Sequence, residues 1–244
     1  MAPHVALIAI GRYRVDRRGG GRYVAVAKRS ARAAVLRKLR KRTTRAIGFL
    51  RTVAGPYPAD GRGGVIDYTR AGYALETQSR PYYPGPPSRG LVGHEIAHQW
   101  FGNSVLPANW SEIWLNEGFA TYMEWLYSEH TGGRTAQQHF NQEYAQHGAS
   151  DKFWKVPPGS PGELDQMFDR SVYVRGAMTL HALRRAIGEN DFEELLARWA
   201  SDFAGAPATT DDLLELAEQI SGEDLDALFD AWLYQPTKPP EPAP

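Results

Sequence analysis

The 244-residue chain contains no cysteine, so disulfides and thiolate metal sites are both excluded. Any metal it holds must be bound by histidine and carboxylate. Long apolar runs are missing too. The longest early one covers only residues 5–10, too short for a good signal-peptide core. Nothing elsewhere approaches the roughly 18 residues a membrane-spanning helix needs. Net charge is absent, with 28 Lys and Arg against 28 Asp and Glu, so the whole molecule has no bias toward nucleic acid or membrane. A soluble, cytoplasmic protein with no membrane partner is the expectation. Acids are also missing locally: residues 28–51 contain none, whereas the chain after Leu164 is rich in them.

What is present reads as strands first and helices afterwards. "HVALIAIGRYRV" and "GRYVAVAKR" suggest two strands around the Gly19-Gly20-Gly21 turn. From Ser30 to about Val53 the spacing of Leu36, Leu39, Ile47, Leu50 and Val53 predicts an amphipathic helix whose other faces carry Arg and Lys. "GVIDYT" and "GYALETQ" read as further strands, and "RPYYPGPPSRG" as a proline-rich loop ending near a helix start at Ser88. "SEIWLNEGFATYMEWLYSEH" is the next helix, closed by Gly132-Gly133. After Thr135 the chain is largely helical except for an irregular stretch between His147 and Asp169. This order implies an α+β domain over residues 1–235, with a sheet-containing lobe (about 1–132) followed by a helical lobe (about 133–235). "PTKPPEPAP", within residues 236–244, has the composition of a disordered tail.

The segment "HEIAHQW" places His94 and His98 one helical turn apart on one face, with Glu95 beside them. Two such imidazoles can share a metal, and the glutamate can act as general base. The pattern also fits a polar helix surface. Glu117, in "WLNEGFATY" on the next predicted helix, decides between these readings. It completes a two-His, one-Glu set with an open fourth position, the zinc hydrolase arrangement. Its apolar neighbours Trp114, Leu115, Phe119 and Ala120 would make an unpaired carboxylate costly to bury.

HEIAHQWFGN followed by WLNEGFATYMEW resembles the gluzincin peptidases, and more narrowly the large zinc aminopeptidase family (the M-one family) that includes alanyl aminopeptidase and leukotriene hydrolase. The eighteen residues between His98 and Glu117 match that family's spacing. The resemblance implies a thermolysin-like fold, one Zn2+ ion, and peptide substrates with a free amino terminus. It further implies hydrolysis by a zinc-activated water, with Glu95 as base. "SVYVRGAMTLHALR" resembles the stretch holding the family's transition-state tyrosine, which assigns that role to Tyr173, with Arg175 where the family usually has lysine. "GYALETQ" resembles the family's Gly-Ala-Met-Glu-Asn segment. By that match Ala74 and Leu75 line the substrate backbone and Glu76 holds its α-amine, while Tyr73 and Thr77 depart from the pattern. Family members carry a β-rich domain before this region and usually a helical one after it, so the resemblance implies an isolated catalytic domain.

Other residues have plainer expectations. His4, His130, His139, His147 and His181 lack a partner at ligand spacing and are assigned to surface or packing. Trp100, Phe101, Trp110, Trp114 and Trp125 are expected in the core around the metal helices, and Arg175 in a structural ion pair. The rivals to an aminopeptidase are a zinc endopeptidase of the same architecture and a basic-helix module binding nucleic acid or an acidic partner. No helix-turn-helix or aromatic stacking pattern accompanies the basic helix.

Overall fold

The computed structural model describes residues 5–241. A four-stranded sheet has the order β1 (Tyr13–Arg18), β2 (Tyr23–Lys28), β3 (Arg62–Ile66), β4 (Tyr82–Tyr83). β1 and β2 are antiparallel. β2 and β3 are parallel, joined by the crossover helix α1 (Ala33–Ala54), and β4 is parallel to β3. β2 alternates buried Tyr23, Ala25 and Ala27 with less buried Val24 and Val26, the period of two expected of a strand covered on one face. The covering stripe on α1 is Leu36, Leu39, Thr43, Ala46, Ile47, Leu50 and Ala54. Glycine is required at Gly63 in β3, where φ is +146° and a Cβ would sit 1.8 Å from Val24 O.

The helices that follow are α2 (Arg89–Ala97), α3 (Trp114–His130), α4 (Ala136–Gln146), α5 (Arg170–Ile187), α6 (Glu189–Asp202), α7 (Thr210–Ser221) and the short α8 (Asp226–Phe229). A two-stranded sheet pairs β5 (Leu106–Pro107) with β6 (Pro207–Ala208). α3 and α5 are buried around most of their circumference, as befits central helices of a mixed α+β domain. They meet backbone to backbone at Gly118 and Gly176, where a Cβ on either would lie 3.0 Å from the other's Cα. Glycine inside a helix costs about 0.5–1 kcal/mol relative to alanine, and here it permits the approach that sets Glu117 beside the first turns of α5.

Several expectations are corrected. Residues 6–10 are extended without strand pairing, leaving Ile8 and Ile10 largely exposed, and His4 lies outside the described residues. "GYALETQ" is not a strand: it makes one isolated bridge, Leu75 to Tyr82. The proline-rich loop instead contributes β4. Trp110 is exposed, on a short turn that precedes α3, with its ring 6.5 Å from that of Phe168, whereas Trp100, Phe101, Trp114 and Trp125 are buried. Within the stretch expected as a tail, Lys238 Nζ donates to the carbonyls of Tyr144 (2.8 Å) and His147 (2.9 Å), and Pro239 is buried. Residues 242–244 are outside the described residues.

Among the described residues Arg175 forms no ion pair. Its guanidinium is completely buried and donates to four backbone carbonyls: Trp232 (2.8 Å), Trp154 (3.0 Å), Ala231 (3.0 Å) and Gln235 (2.6 Å). Burial lowers it to about 10, so it remains a cation at neutral pH. The carbonyls at the end of a helix are a favourable place for such a charge.

His181 is also buried, with Nδ1 3.2 Å from the Tyr122 hydroxyl and Nε2 3.1 Å from Gln137 Oε1. Burial first, then Arg184 and Arg185, push its imidazole down to about 4. The unfolded chain, with an ordinary histidine near 6.5, therefore takes up a proton that the folded chain refuses. Stability present above pH 6.5 is lost as pH falls toward 4, by up to about 3 kcal/mol. In thermal melts across this window, His181→Gln should remove that part of the acid slope; an unchanged slope would assign it to other groups.

Candidate metal and peptidase site

Ser88 caps α2 by accepting from the Leu91 N–H at 3.0 Å, and the helix carries His94 and Glu95 before ending at Ala97. His98 is the C-cap residue, still in helical conformation, and its N–H donates to His94 O at 3.2 Å. The two imidazole Nε2 atoms are therefore 3.1 Å apart. Glu117, in the first turn of α3, brings Oε2 to 3.3 Å from each of them. His94, His98 and Glu117 form a group whose ligand atoms lie together in a buried pocket. His98 Nδ1 lies 3.1 Å from the Phe101 carbonyl, which as acceptor places the ring proton on Nδ1 and frees the Nε2 lone pair. His94 Nδ1 is 3.8 Å from Glu124 Oε2, a carboxylate on α3 two turns beyond Glu117.

The electrostatics suit a cation. Burial opposes charge on Glu117, but His98 and His94 more than offset it and hold its carboxyl down at about 2. Burial likewise opposes charge on His98, and Glu117 overrides it, raising the imidazole to about 10. Glu117 Oε2 faces the two ring nitrogens at 3.3 Å each. Two nitrogens and one carboxylate oxygen are the donor set a divalent zinc-type cation takes. The residues fit such an ion.

Glu95 is 4% exposed. Burial raises its carboxyl to about 7, with His94 and His98 pulling down and Glu76 and Glu117 pushing up. Tyr173, three residues before Gly176 on α5, stacks on His94 with ring centroids 6.2 Å apart. Burial and then the Glu117 carboxylate push its hydroxyl well above the ordinary phenol range, so it is a hydrogen-bond donor at neutral pH. Glu76 is near enough to act electrostatically on Glu95, His98 and Tyr173. The structure thus brings His94, Glu95, His98 and Glu117 together with Tyr173, and sets Glu76 within electrostatic reach of them.

Sequence reasoning missed Gln99 and Asn103, which hold that segment in place. Gln99 Nε2 (3.2 Å) and Asn103 Nδ2 (2.7 Å) both donate to the Glu76 carbonyl. Gln99 Oε1 accepts from the Ser79 N–H at 2.7 Å. Ser79 has φ +63°, the one positive value at a non-glycine among the described residues, and this bond pins the turn that reverses the chain toward β4. Leu75 N–H and O pair with Tyr82 at 3.0 and 2.8 Å. The available signal was the polar pair itself, Gln99 and Asn103, in an otherwise apolar "QWFGN".

Two histidines of HEIAH and a downstream glutamate thus form a candidate divalent-metal site between α2 and α3. The family model "Peptidase family M1 domain" matches residues 87–232. Among curated relatives, Aminopeptidase M1-C of Oryza sativa subsp. japonica is 31% identical over 183 residues, covering 70% of this chain and 20% of the relative. Among solved structures, the M1 zinc metallopeptidase from Deinococcus radiodurans has a TM-score of 0.79 at 30% identity, covering 96% of this chain and 53% of its own. An E323A mutant of that protein, bound to a Tyr-Ser-Ala substrate, has a TM-score of 0.80 at 28% identity over 96% of this chain and 54% of its own. The chain belongs to peptidase family M1. It spans about a fifth of the curated relative and about half of the structural neighbour. Among the described residues no helix is long and apolar enough to cross a membrane.

Proposed function

We propose that this chain is the catalytic part of a zinc-dependent aminopeptidase that removes amino-terminal residues from peptides. The observation that carries the reading is the convergence of His94 Nε2, His98 Nε2 and Glu117 Oε2 within 3.1–3.3 Å of one another, beside the buried Glu95. The site then lies between a sheet-containing lobe, about residues 1–132, and a helical lobe, about residues 133–235. The peptide-bound Deinococcus relative supports a peptide substrate.

His94, His98 and Glu117 would hold one Zn2+ ion, which when bound supplies Lewis acidity toward the scissile carbonyl and the attacking water. Glu95 accepts the proton of that water and returns it to the departing amine. Burial suits it to this task, because a carboxylate near pH 7 can both take and give a proton. Tyr173 donates a hydrogen bond to the oxygen that becomes negative in the transition state. Glu76 pairs with the substrate α-ammonium, and Ala74 and Leu75 line the peptide backbone leading to it. Gln99 and Asn103 fix the carbonyl of Glu76, so its carboxylate projects from an anchored backbone.

One assay separates this reading from an endopeptidase. Hydrolysis of an aminoacyl-arylamide and of an amino-blocked peptide is measured with and without chelator. Chelator-sensitive cleavage of the free-amine substrate alone is expected; comparable cleavage of the blocked peptide marks an endopeptidase instead. In the same assay Glu76→Ala should lower kcat/KM on the free-amine substrate by about 10–100-fold, the loss of one charge-assisted contact of about 1.5–3 kcal/mol. Equal loss on the blocked peptide would remove Glu76 from amine recognition.

A further inference from the structure

Residues 1–62 hold 16 Lys and Arg but only two acids, Asp16 and Asp60, in a chain whose totals are 28 and 28. Ion pairing absorbs few of these cations: Arg18 and Arg40 share Asp16, and Lys28 lies 3.6 Å from Asp67. Arg22, Arg51 and Arg62 have no ion pair among the described residues, and these three converge on one cavity of about 620 Å³. They come from three elements: Arg51 from the last turn of α1, Arg22 from the residue before β2, and Arg62 from the start of β3. The parallel register places Tyr23 opposite Arg62, and the Arg62 N–H donates to Arg22 O at 2.8 Å, so the last two guanidiniums are carried side by side by paired backbone.

Asp60 is the one carboxylate lining the cavity. Tyr57 lines it as well, its ring packed edge-on to Trp100 with centroids 5.2 Å apart. The negative end of α1 accounts for Arg51 alone, since a helix terminus carries only about half an elementary charge. Arg22 and Arg62 are both exposed and share the cavity with one acid, Asp60, which leaves net positive charge for an anion to meet. Guanidiniums bind phosphate oxygens through paired N–H donors. The volume lies within the roughly 300–1,000 Å³ of small-ligand sites and is generous for a single phosphate.

We propose that this cavity is a binding site for a small anion bearing two or more phosphate groups, held by Arg22, Arg51 and Arg62. The site is separate from the metal cluster and does not depend on its function. It touches that region through Trp100, whose Nε1 donates to Pro56 O at 3.0 Å and whose ring lies edge-on to Tyr57 at 5.2 Å between centroids.

The test is calorimetric titration of the chain with inorganic pyrophosphate and with triphosphate at about 0.15 M salt, where long-range attraction beyond about 8 Å is screened. Saturable one-to-one binding is expected, unchanged by chelator. It should weaken at least tenfold in Arg62→Gln and in Arg51→Gln. Arg37→Gln and Lys41→Gln, on the exposed face of α1 outside the cavity, should leave it as it is. All four replaced side chains are exposed, and thermal melts of the variants provide the folding control. No saturable binding overturns the proposal. So does equal weakening by all four changes, or binding only of duplex DNA or phosphatidylserine vesicles with steep salt dependence, which would mark a general basic surface.

Discussion

Replacing Glu95 with glutamine is expected to lower turnover by about 10²–10⁴-fold, the range a positioned general base supplies, while the protein keeps its metal. The retention follows from the geometry: the ligand atoms belong to His94, His98 and Glu117, and Glu95 is not among them. Folding should survive as well. The carboxyl is 4% exposed and burial already pushes it up to about 7, so a neutral amide of the same shape relieves a desolvated charge. Three readouts are needed: kcat on an aminoacyl-arylamide, metal content by mass spectrometry, and Tm. A variant with wild-type turnover would dismiss Glu95 as the base. One that lost its metal together with its activity would make Glu95 part of the metal site instead.

Tyr173→Phe is the second large effect. Removing a single donor to a developing oxyanion typically costs about 2.7–4 kcal/mol, or 10²–10³ in kcat, and KM should move little because the interaction belongs to the transition state. The phenyl ring retains the stacking on His94 at 6.2 Å between centroids, so the metal pocket keeps its wall. Burial and the Glu117 carboxylate hold the hydroxyl protonated well beyond neutral pH. Ionisation of Tyr173 is therefore not expected to shape the alkaline limb of the activity profile. A change in KM with kcat preserved would move Tyr173 from oxyanion stabilisation to ground-state binding.

The sequence was most legible where side-chain type and period agree. The stripe on α1, the Ser88 cap and the two histidines four apart are local patterns, and each has its counterpart in the structure. Glu117 was legible because a carboxylate among tryptophan, leucine and phenylalanine demands a partner. Legibility failed where non-local contacts decide. "GYALETQ" alternates like a strand, yet its backbone is held by side chains from the metal helix, through Gln99 and Asn103, more than by a neighbouring strand. The run at residues 5–10 looked like a core strand by composition, but hydrophobicity alone supplies no pairing partner. Arg175 was assigned an ion pair because a charge in a helix usually meets an opposite charge. No spacing rule reveals that four carbonyls from two distant segments surround it.

That clamp has a consequence for how the chain can vary. Arg175 reads only main-chain oxygens of Trp154, Ala231, Trp232 and Gln235, and every residue type carries that oxygen. Exchanges of side chain at the exposed Gln235 therefore leave its contribution to the grip intact. A one-residue insertion or deletion between positions 231 and 235 changes which oxygens face the guanidinium even if hydrophobicity is preserved. The segment is tolerant of spelling and intolerant of counting, and through α5 that intolerance reaches Tyr173, two residues away from the arginine that keeps the count.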